Sequence, residues 1–382
     1  MDFPNIEVPY LDAIFNETNK RPFSELSAGN LENEEKKKLE RERNRIHARN
    51  TRARKKAYAD ELTEKLNSLT KEKEQIEREE AAAAELISAR HDNWVKNLRL
   101  CMNLRSSLCL DSDKWSDVLA EDFKLILPLT PYRSYCSSDI VNNRRVLLGV
   151  DGMIADTASL KVMFDNIGIK SSENDLPVSF EYLLGSDTTE NCYFGKNGFM
   201  CTFIMRTFDA KAHGALSECE TSGLLHVNFN ETGLIEELEM CFDGIAMNHQ
   251  LKLAKGVSEF PSIPNHLSIV LKNENDNIVI TTARRPFRIT HVNNAWTKLC
   301  GFELSECKGS SLSILQGPET DMSKVKDLCE KTEMGLAASM VVTNYNKNGN
   351  TFLNHLKCYP VSSDQSGKIT HIAGFLKEIP RN

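Results

Sequence analysis

From Leu62 the chain places an apolar residue at every seventh position, Leu62, Leu69, Ile76 and Ala83, with Leu66 and Ile87 four residues after the first and last of these. That period predicts a coiled-coil seam rather than a helix packed on a globular core. Between Gly29 and Pro128 there is neither glycine nor proline, where average usage of about 12% for the two together predicts around a dozen. One very long helix is the simplest cause. Residues 1–33 show no periodicity and read as a disordered arm. After residue 110 the texture changes. "KWSDVLAEDFKLILPLTPYRSY" reads as a helix end and a strand, "NNRRVLLGVDGMIADTASLKVMFDNIG" as loop and helix, and "NGFMCTFIMRTF" as a strand. Leu225, Val227 and Phe229, then Leu238, Met240 and Phe242, alternate around an Asn-Glu-Thr-Gly turn, the pattern of an antiparallel hairpin. The expected fold class is multidomain: a long α-helical coiled coil, then two α+β domains.

Charge sharpens the division. The formal net charge is −7, yet residues 36–56 hold eleven Lys/Arg against Glu40 and Glu42, so a polyanion is the expected partner of that segment. The eleven cysteines are odd in number and show no CxxC pair or metal-ligand spacing, which predicts a reducing compartment and no metal site. There is no basic-then-apolar leader pattern, and no run nears the roughly 18 apolar residues that span a bilayer. A soluble, intracellular protein without membrane contact is expected.

Within the basic segment, Asn44, His47, Ala48, Thr51 and Arg52 fall at offsets 0, 3, 4, 7 and 8, which places them in one arc of about 140° on a helix. Such a stripe can lie along a major groove. An Asn amide can pair with a base edge, Ala and the Thr methyl can touch a thymine methyl, and Arg52 can reach a guanine or a phosphate. Arg45, Arg49, Arg54, Lys55 and Lys56 suit the flanking phosphates.

This stretch resembles the basic region of bZIP transcription factors, in which an Asn is followed eight residues later by an Arg and ten residues after that by the first zipper Leu; Asn44, Arg52 and Leu62 fit. The usual pattern has Ala at His47 and Ser or Cys at Thr51. The resemblance implies double-stranded DNA with an ACGT-type core as partner, and a bZIP over 34–92 with basic region 36–56 and zipper 59–90. With Leu62, Leu69, Ile76 and Ala83 as d positions, Leu66, Lys73, Glu80 and Ile87 are a positions. A parallel homodimer then sets Lys73 against Lys73 and Glu80 against Glu80, and Glu72 meets Glu77 of the partner. Either a different bZIP chain is the partner, or another part of this protein adds association energy.

A helical linker is expected over 93–109, followed by an α+β domain over 110–255 that is similar to the cone-shaped NTF2-like fold. Some such domains are enzymes, but Asp122, Asp151, Asp243, His213 and His226 show no spacing that orders them as acid, base or nucleophile. No enzyme is expected, and dimer association or partner binding is assigned to this domain.

After a linker at 256–265, residues 266–382 resemble a PAS domain, and among PAS domains the flavin-binding LOV photoreceptors. Ile289, Val292, Asn293, Trp296, Gly301, Glu306, Gly309, Leu315 and the run "LQGPETD" carry the resemblance. It implies a pocket at Ser311, Leu312, Gln316, Asn344, Asn354 and Leu376, the two Asn matching amides that hold the polar edge of the flavin ring. The departures fall on the photochemistry. The LOV cysteine that adds to the excited flavin is Leu312 here, its Asn neighbour is Ser311, the Arg that pairs with the flavin phosphate is Ser313, and a Gln of the last strand is Leu376. The expectation from these losses is a small, largely apolar pocket with both amides bonded to strand or loop groups, and no cofactor.

The order bZIP first, PAS last resembles the aureochromes and, with its middle domain and altered LOV loop, the bZIP–PAS transcription factors of diatoms and other stramenopile algae. The resemblance implies a nuclear, sequence-specific transcription factor, homodimeric or heterodimeric, whose PAS domain senses or binds without LOV photochemistry. A light- or redox-responsive flavin-binding factor is the rival, and an NTF2-like enzyme fused to a DNA-binding segment a third.

Overall fold

The computed structural model describes residues 30–130, 132–134, 140–141, 144–185, 192–364 and 368–380, so nearly all of the arm expected over 1–33 lies outside the described residues. The chain divides into two units, the first ending at Ala84 and the second beginning at Glu85.

The first unit consists of helix α1, Asn30–Ser107, which continues into the second. From residue 33 to residue 90 every side chain is exposed, the seam residues Leu62, Leu66, Leu69, Ile76 and Ile87 among them. Three i,i+4 ion pairs, Glu61–Lys65, Lys73–Glu77 and Glu74–Arg78, run along its surface. Pairs so exposed each contribute only a few tenths of a kcal/mol. Length and the absence of helix breakers, more than these bonds, account for its continuity.

In the second unit the end of α1 is not a linker. Trp94, Leu98, Cys101, Met102 and Arg105 are all at most 3% exposed. Their spacing of three and four residues makes one buried stripe, and Trp94 stacks on Phe229 at 5.0 Å between ring centroids. The reading of 93–109 as a connector overlooked that change of period from seven to mixed three and four. A short helix, α2 (Ser112–Ser116), leads to β1 (Leu119–Leu127), β2 (Ile140–Val141) and β3 (Arg144–Leu148), then to helix α3 (Gly149–Asp165). Strands β4 (Phe180–Leu184), β5 (Cys192–Phe194), β6 (Gly198–Thr207), β7 (Glu220–Phe229) and β8 (Ile235–Phe242) follow, closed by α4 (Gly244–Lys255). They form one sheet in the order β2-β3-β1-β8-β7-β6-β4, antiparallel except where β1 runs parallel to β8. The predicted hairpin is β7–β8, with Leu225 opposite Met240 and Val227 opposite Leu238. Strand β3 lies in a stretch read as loop.

The remaining elements are α5 (Leu267–Val270), β9 (Asn277–Thr282), β10 (Ile289–Val292), α6 (Asn294–Cys300), α7 (Leu304–Cys307), a 3-10 turn at Leu312–Leu315, α8 (Met322–Glu333), β11 (Ala338–Tyr345), β12 (Thr351–Val361) and β13 (His371–Ile379). The sheet order is β10-β9-β13-β12-β11, all pairs antiparallel. The stretch 256–265, expected as a linker, buries Phe260 and Ile263 in the same core that holds α3, β1 and Tyr359 of β12. Across this junction Ser339 Oγ donates to Asp165 at 3.2 Å and Thr343 Oγ1 to Glu173 at 2.5 Å. The two sheets therefore share one compact unit.

Against the first sheet a single carboxylate gathers three elements. Asp156 of α3 accepts from Arg105 Nη2 of α1 at 2.6 Å, from Arg145 Nη1 of β3 at 3.0 Å and from the Tyr132 hydroxyl at 3.0 Å. Arg105, Arg145 and Asp156 are all 2% exposed or less. Burial favours the neutral acid, but the two guanidiniums outweigh it and hold the Asp156 carboxyl at about 2, below its ordinary 3.8. A folded-state value below the unfolded one contributes stability that is complete above about pH 4 and is lost as pH falls toward 2. Asp156→Asn leaves two buried cations underpaired and is expected to cost about 3–5 kcal/mol. In urea titrations at stepped pH, the wild type should lose stability more steeply than the variant between pH 4 and 2.

Candidate DNA-contacting helix and ligand cavity

On α1 the residues read from the sequence as DNA-contacting, Asn44, Arg45, His47, Ala48, Arg49, Thr51, Arg52, Arg54, Lys55 and Lys56, are helical and exposed. Thr51 Oγ1 donates to the His47 carbonyl at 2.8 Å. The hydroxyl hydrogen is thus spent on its own helix, and the Thr51 methyl is a group that a thymine methyl can meet. At the seam, Lys73 bonds Glu77 of its own helix at 3.6 Å, so part of its charge is offset before any partner arrives.

In the second unit the structure brings Ser311, Leu312, Gln316, Asn344, Asn354 and Leu376 to the wall of one cavity of about 310 Å³. The 3-10 turn delivers the first residues: Ser311 caps it, and its Oγ lies 2.6 Å from that of Ser313. Leu312 is half-buried and packs on the core of this sheet. Strands β11 and β12 deliver the amides. Asn354 Nδ2 donates to Asn344 Oδ1 at 2.8 Å, Asn344 Nδ2 donates to the Leu315 carbonyl at 3.1 Å, and Asn354 Oδ1 accepts from the Lys377 backbone N–H at 3.2 Å. This chain of bonds ties the turn to the sheet across the cavity.

Sequence reading missed several wall residues. Arg285 stands at the cavity with its Nε donating to Glu333 at 2.9 Å. Cys329 and Cys358 also line it, whereas Cys300 and Cys307, the cysteines near the loop in sequence, do not. Burial pushes the Cys358 thiol up to about 12 and raises that of Cys329, so both are protonated thiols at neutral pH. No spacing rule links residues 285, 329 and 358. Only the tertiary fold does.

Many residues that carry the LOV pattern have scaffold duties here. Asn293 Oδ1 accepts from Trp296 N and from Ile278 N, both at 3.0 Å, capping α6 and fixing β9 at once. Glu306 closes a capping box on α7 and pairs with Lys347 at 2.5 Å. Gly317, within "LQGPETD", faces the Tyr345 ring so closely that an added Cβ would lie 2.4 Å from it.

The acidic and histidine residues weighed as an enzyme set do not converge. Asp122 is exposed on β1, Asp151 is exposed in the first turn of α3, and Asp243 caps α4. His213 faces Asp209 at 3.7 Å and His226 faces Glu239 at 3.8 Å, on different elements.

A bZIP-type helix followed by a PAS-type sheet with a central cavity is the architecture of a regulatory protein rather than of an enzyme. Comparison with known families agrees: residues 33–85 match the basic region leucine zipper model, and residues 269–380 match a PAS domain model. Over 95 residues the chain is 33% identical to a blue-light-activated histidine kinase of Brucella anthropi, covering 25% of this chain and 19% of that one. Among solved structures it is similar to the dark structure of the LOV domain of the blue-light photoreceptor Aureochrome1, with 28% identity, 30% of this chain and 83% of that chain covered, and a TM-score of 0.27. It is also similar to a light-oxygen-voltage domain studied with a flavin analogue, with 30% identity, 30% and 84% coverage and a TM-score of 0.28. The chain spans between 12% and 30% of the lengths of the curated relatives it matches.

These findings overturn the expectation of no cofactor. The segment is similar to blue-light receptors, and the cavity is not small: its volume reaches the range of about 300–1,000 Å³ that ligand sites occupy. The changes at Ser311, Ser313 and Leu376, which predict a small pocket, shorten or exchange side chains at its wall and leave the space. Asn354→Leu, by contrast, orphans Asn344 Oδ1 and the Lys377 N–H together. A loss of about 1–3 kcal/mol per unpaired buried group is expected, read as a lower urea midpoint at unchanged m-value.

Proposed function

We propose that this chain is a nuclear, sequence-specific bZIP transcription factor, of the bZIP–PAS kind found in stramenopile algae, whose PAS cavity senses a ligand without cysteine photochemistry. The observation that carries the first half is the exposed helical stripe Asn44–His47–Ala48–Thr51–Arg52 in register with the seam that begins at Leu62. The reading gives an ACGT-type core with one half-site per helix. The sheet over 119–242, with its long α3 and the buried Arg105–Asp156–Arg145 network, supports an NTF2-like association module.

Leu312 carries the second half. A LOV-type photoreceptor bonds its flavin through the thiol at this position, and leucine has none. The residues present otherwise fit a flavin-type ligand: Asn344, Asn354 and Gln316 suit the polar edge of a planar ring, apolar walls such as Leu356 and Leu376 its faces, and Arg285 an acidic tail in place of Ser313. A bound isoalloxazine supplies light absorption and redox chemistry. This chain's own residues bind and orient it, and Leu312 excludes water from the side where the thiol would stand. A visible spectrum of purified protein, recorded before and after blue light, tests this. A flavin-like band that blue light bleaches by covalent bonding to the protein contradicts the reading.

On DNA, Asn44→Ala or Arg52→Ala is expected to cost about 1–3 kcal/mol of discrimination against mismatched sites, whereas Lys37→Ala lowers the salt slope by about one and affects all sequences alike. Titrations at several salt concentrations with a selected site and a scrambled one distinguish these outcomes; selection that enriches no motif contradicts the ACGT reading.

Self-association is limited by the seam. Lys73 and Glu80 at a positions face their own copies in a parallel homodimer, so replacing both with Leu is expected to tighten it by about ten-fold or more. Sedimentation of full-length protein reads this directly. An unchanged dimer constant means that the register assigned from Leu62 is wrong.

A further inference from the structure

Strand β12 has a second face. Asn354, Leu356 and Cys358 line the 310 Å³ cavity, while the alternate residues His355, Lys357 and Tyr359 line another, of about 140 Å³, on the opposite side of the sheet. Lys377 of β13, directly opposite His355 in the ladder, completes its basic wall. The far wall comes from Asn166 at the end of α3 and from Pro261–Pro264.

We propose that this second cavity is an oxyanion site that takes phosphate, free or as a phosphate monoester, between the PAS-type sheet and the end of α3. His355 is 6% exposed, lines the cavity, and its Nε2 has no hydrogen-bond partner. A buried ring nitrogen left unpaired is destabilising, and an oxyanion accepting from Nε2–H removes that cost. Around it, Lys357 and Lys377 make no ion pair among the described residues, and neither does Lys255, whose ammonium donates to the Asn166 carbonyl. Carboxylates offset the group only in part: Asp165 is shared with Lys170 at 2.6 Å and with Ser339, and Asp276, the one acid among the described residues lining the cavity, is a single carboxylate for three lysines.

The crowding is visible in the titration of these groups. Burial, and then Lys255, lowers the Lys357 ammonium to about 8; burial, and then Lys377, does the same to Lys255. Burial and the four surrounding lysines hold His355 neutral. Cations pressed together in a half-buried space repel unless an anion joins them. At 140 Å³ the cavity is below the about 300–1,000 Å³ of sites for drug-sized ligands, so it suits a tetrahedral oxyanion or a headgroup rather than a whole nucleotide. Because its walls come from both halves of the second unit, the anion would clamp them together.

The test is thermal unfolding of the full-length protein in chloride and in inorganic phosphate at equal ionic strength, with glycerol phosphate as a second arm. Phosphate is expected to raise Tm in a concentration-dependent way. Lys357→Met should raise Tm in chloride by removing repulsion, and lose about ten-fold or more in phosphate affinity. Lys377→Met, at an exposed position that tolerates change, should weaken the phosphate response in the same direction. Lys55→Ala/Lys56→Ala in the basic region should leave it intact, which separates this site from phosphate held by the DNA-binding helix. Tighter binding of the ester assigns the site to a headgroup, tighter binding of the ion to free phosphate. No phosphate increment over chloride, or the same increment in wild type, Lys357→Met and Lys377→Met, overturns the proposal.

Discussion

Asp156 is the constraint on which the second unit depends. One buried carboxylate accepts from Arg105 of α1, Arg145 of β3 and Tyr132, which follows β1. None of these groups can be buried without the others. Beside the carboxylate, neutral oxygens complete the network: Thr157 and Tyr182 accept from Arg105, and Thr130 accepts from Arg145. An apolar cluster of the same volume would be as stable or more so. What the ion network adds is position, because Arg105 satisfies its donors in only one placement of the helix end. The network thus fixes the end of α1 that lies within the second unit.

The alternation of β12 organises everything beyond. A strand buried on both faces serves two environments at once, since successive side chains point to opposite sides. Asn354 belongs to the inner face and ties the 3-10 turn to the sheet through Asn344, while His355, its neighbour, belongs to the outer face. A shift of one residue in the pairing with β13 would exchange the two faces and bury Lys357 in the ligand cavity. The register from Leu353↔Ile379 to Val361↔His371 is unbroken, which is what this double duty demands.

How much was legible in the sequence follows from the range of each interaction. The seam from Leu62 and the stripe around Asn44 are local patterns of one helix, and they could be read because nothing outside the helix defines them. The β7–β8 hairpin was legible for the same reason, its turn and its alternation lying within 23 residues of sequence. Strand β3 was not, since "RRVLL" pairs Arg145 with a carboxylate eleven residues on, and an arginine in a core position hides the period of two. The six wall residues of the inner cavity were reached through resemblance to LOV domains rather than through spacing. Arg285, Cys329 and Cys358 had no such guide. The volume of the cavity was misjudged because lost polar contacts were read as lost space; packing of the backbone sets the space, and Asn293, Glu306 and Gly317 hold that backbone whether or not a thiol stands at 312.

On the proposed reading, in which the cavity senses a ligand with no thiol at position 312, Leu312 changes what kind of switch it can be. A covalent bond to a ligand stores its free energy in the protein until the bond breaks, so a photoreceptor of that kind can stay switched after the stimulus ends. Without it, the ligand shifts the balance of states only by its difference in affinity for them. A ligand present at a hundred times its dissociation constant stabilises the state that binds it by at most about 2.7 kcal/mol over one that does not. That is a graded response that follows concentration, or oxidation state, and reverses on dissociation. The cavity's inner bonds suit such a response. Asn344 and Asn354 are paired with each other and with the Leu315 carbonyl, and each amide keeps spare hydrogen-bonding capacity, so a ligand that bonds to either one joins the tie between turn and sheet. That contact would place the ligand's effect on the 3-10 turn and on β12, the strand whose other face meets the end of α3 through Tyr359.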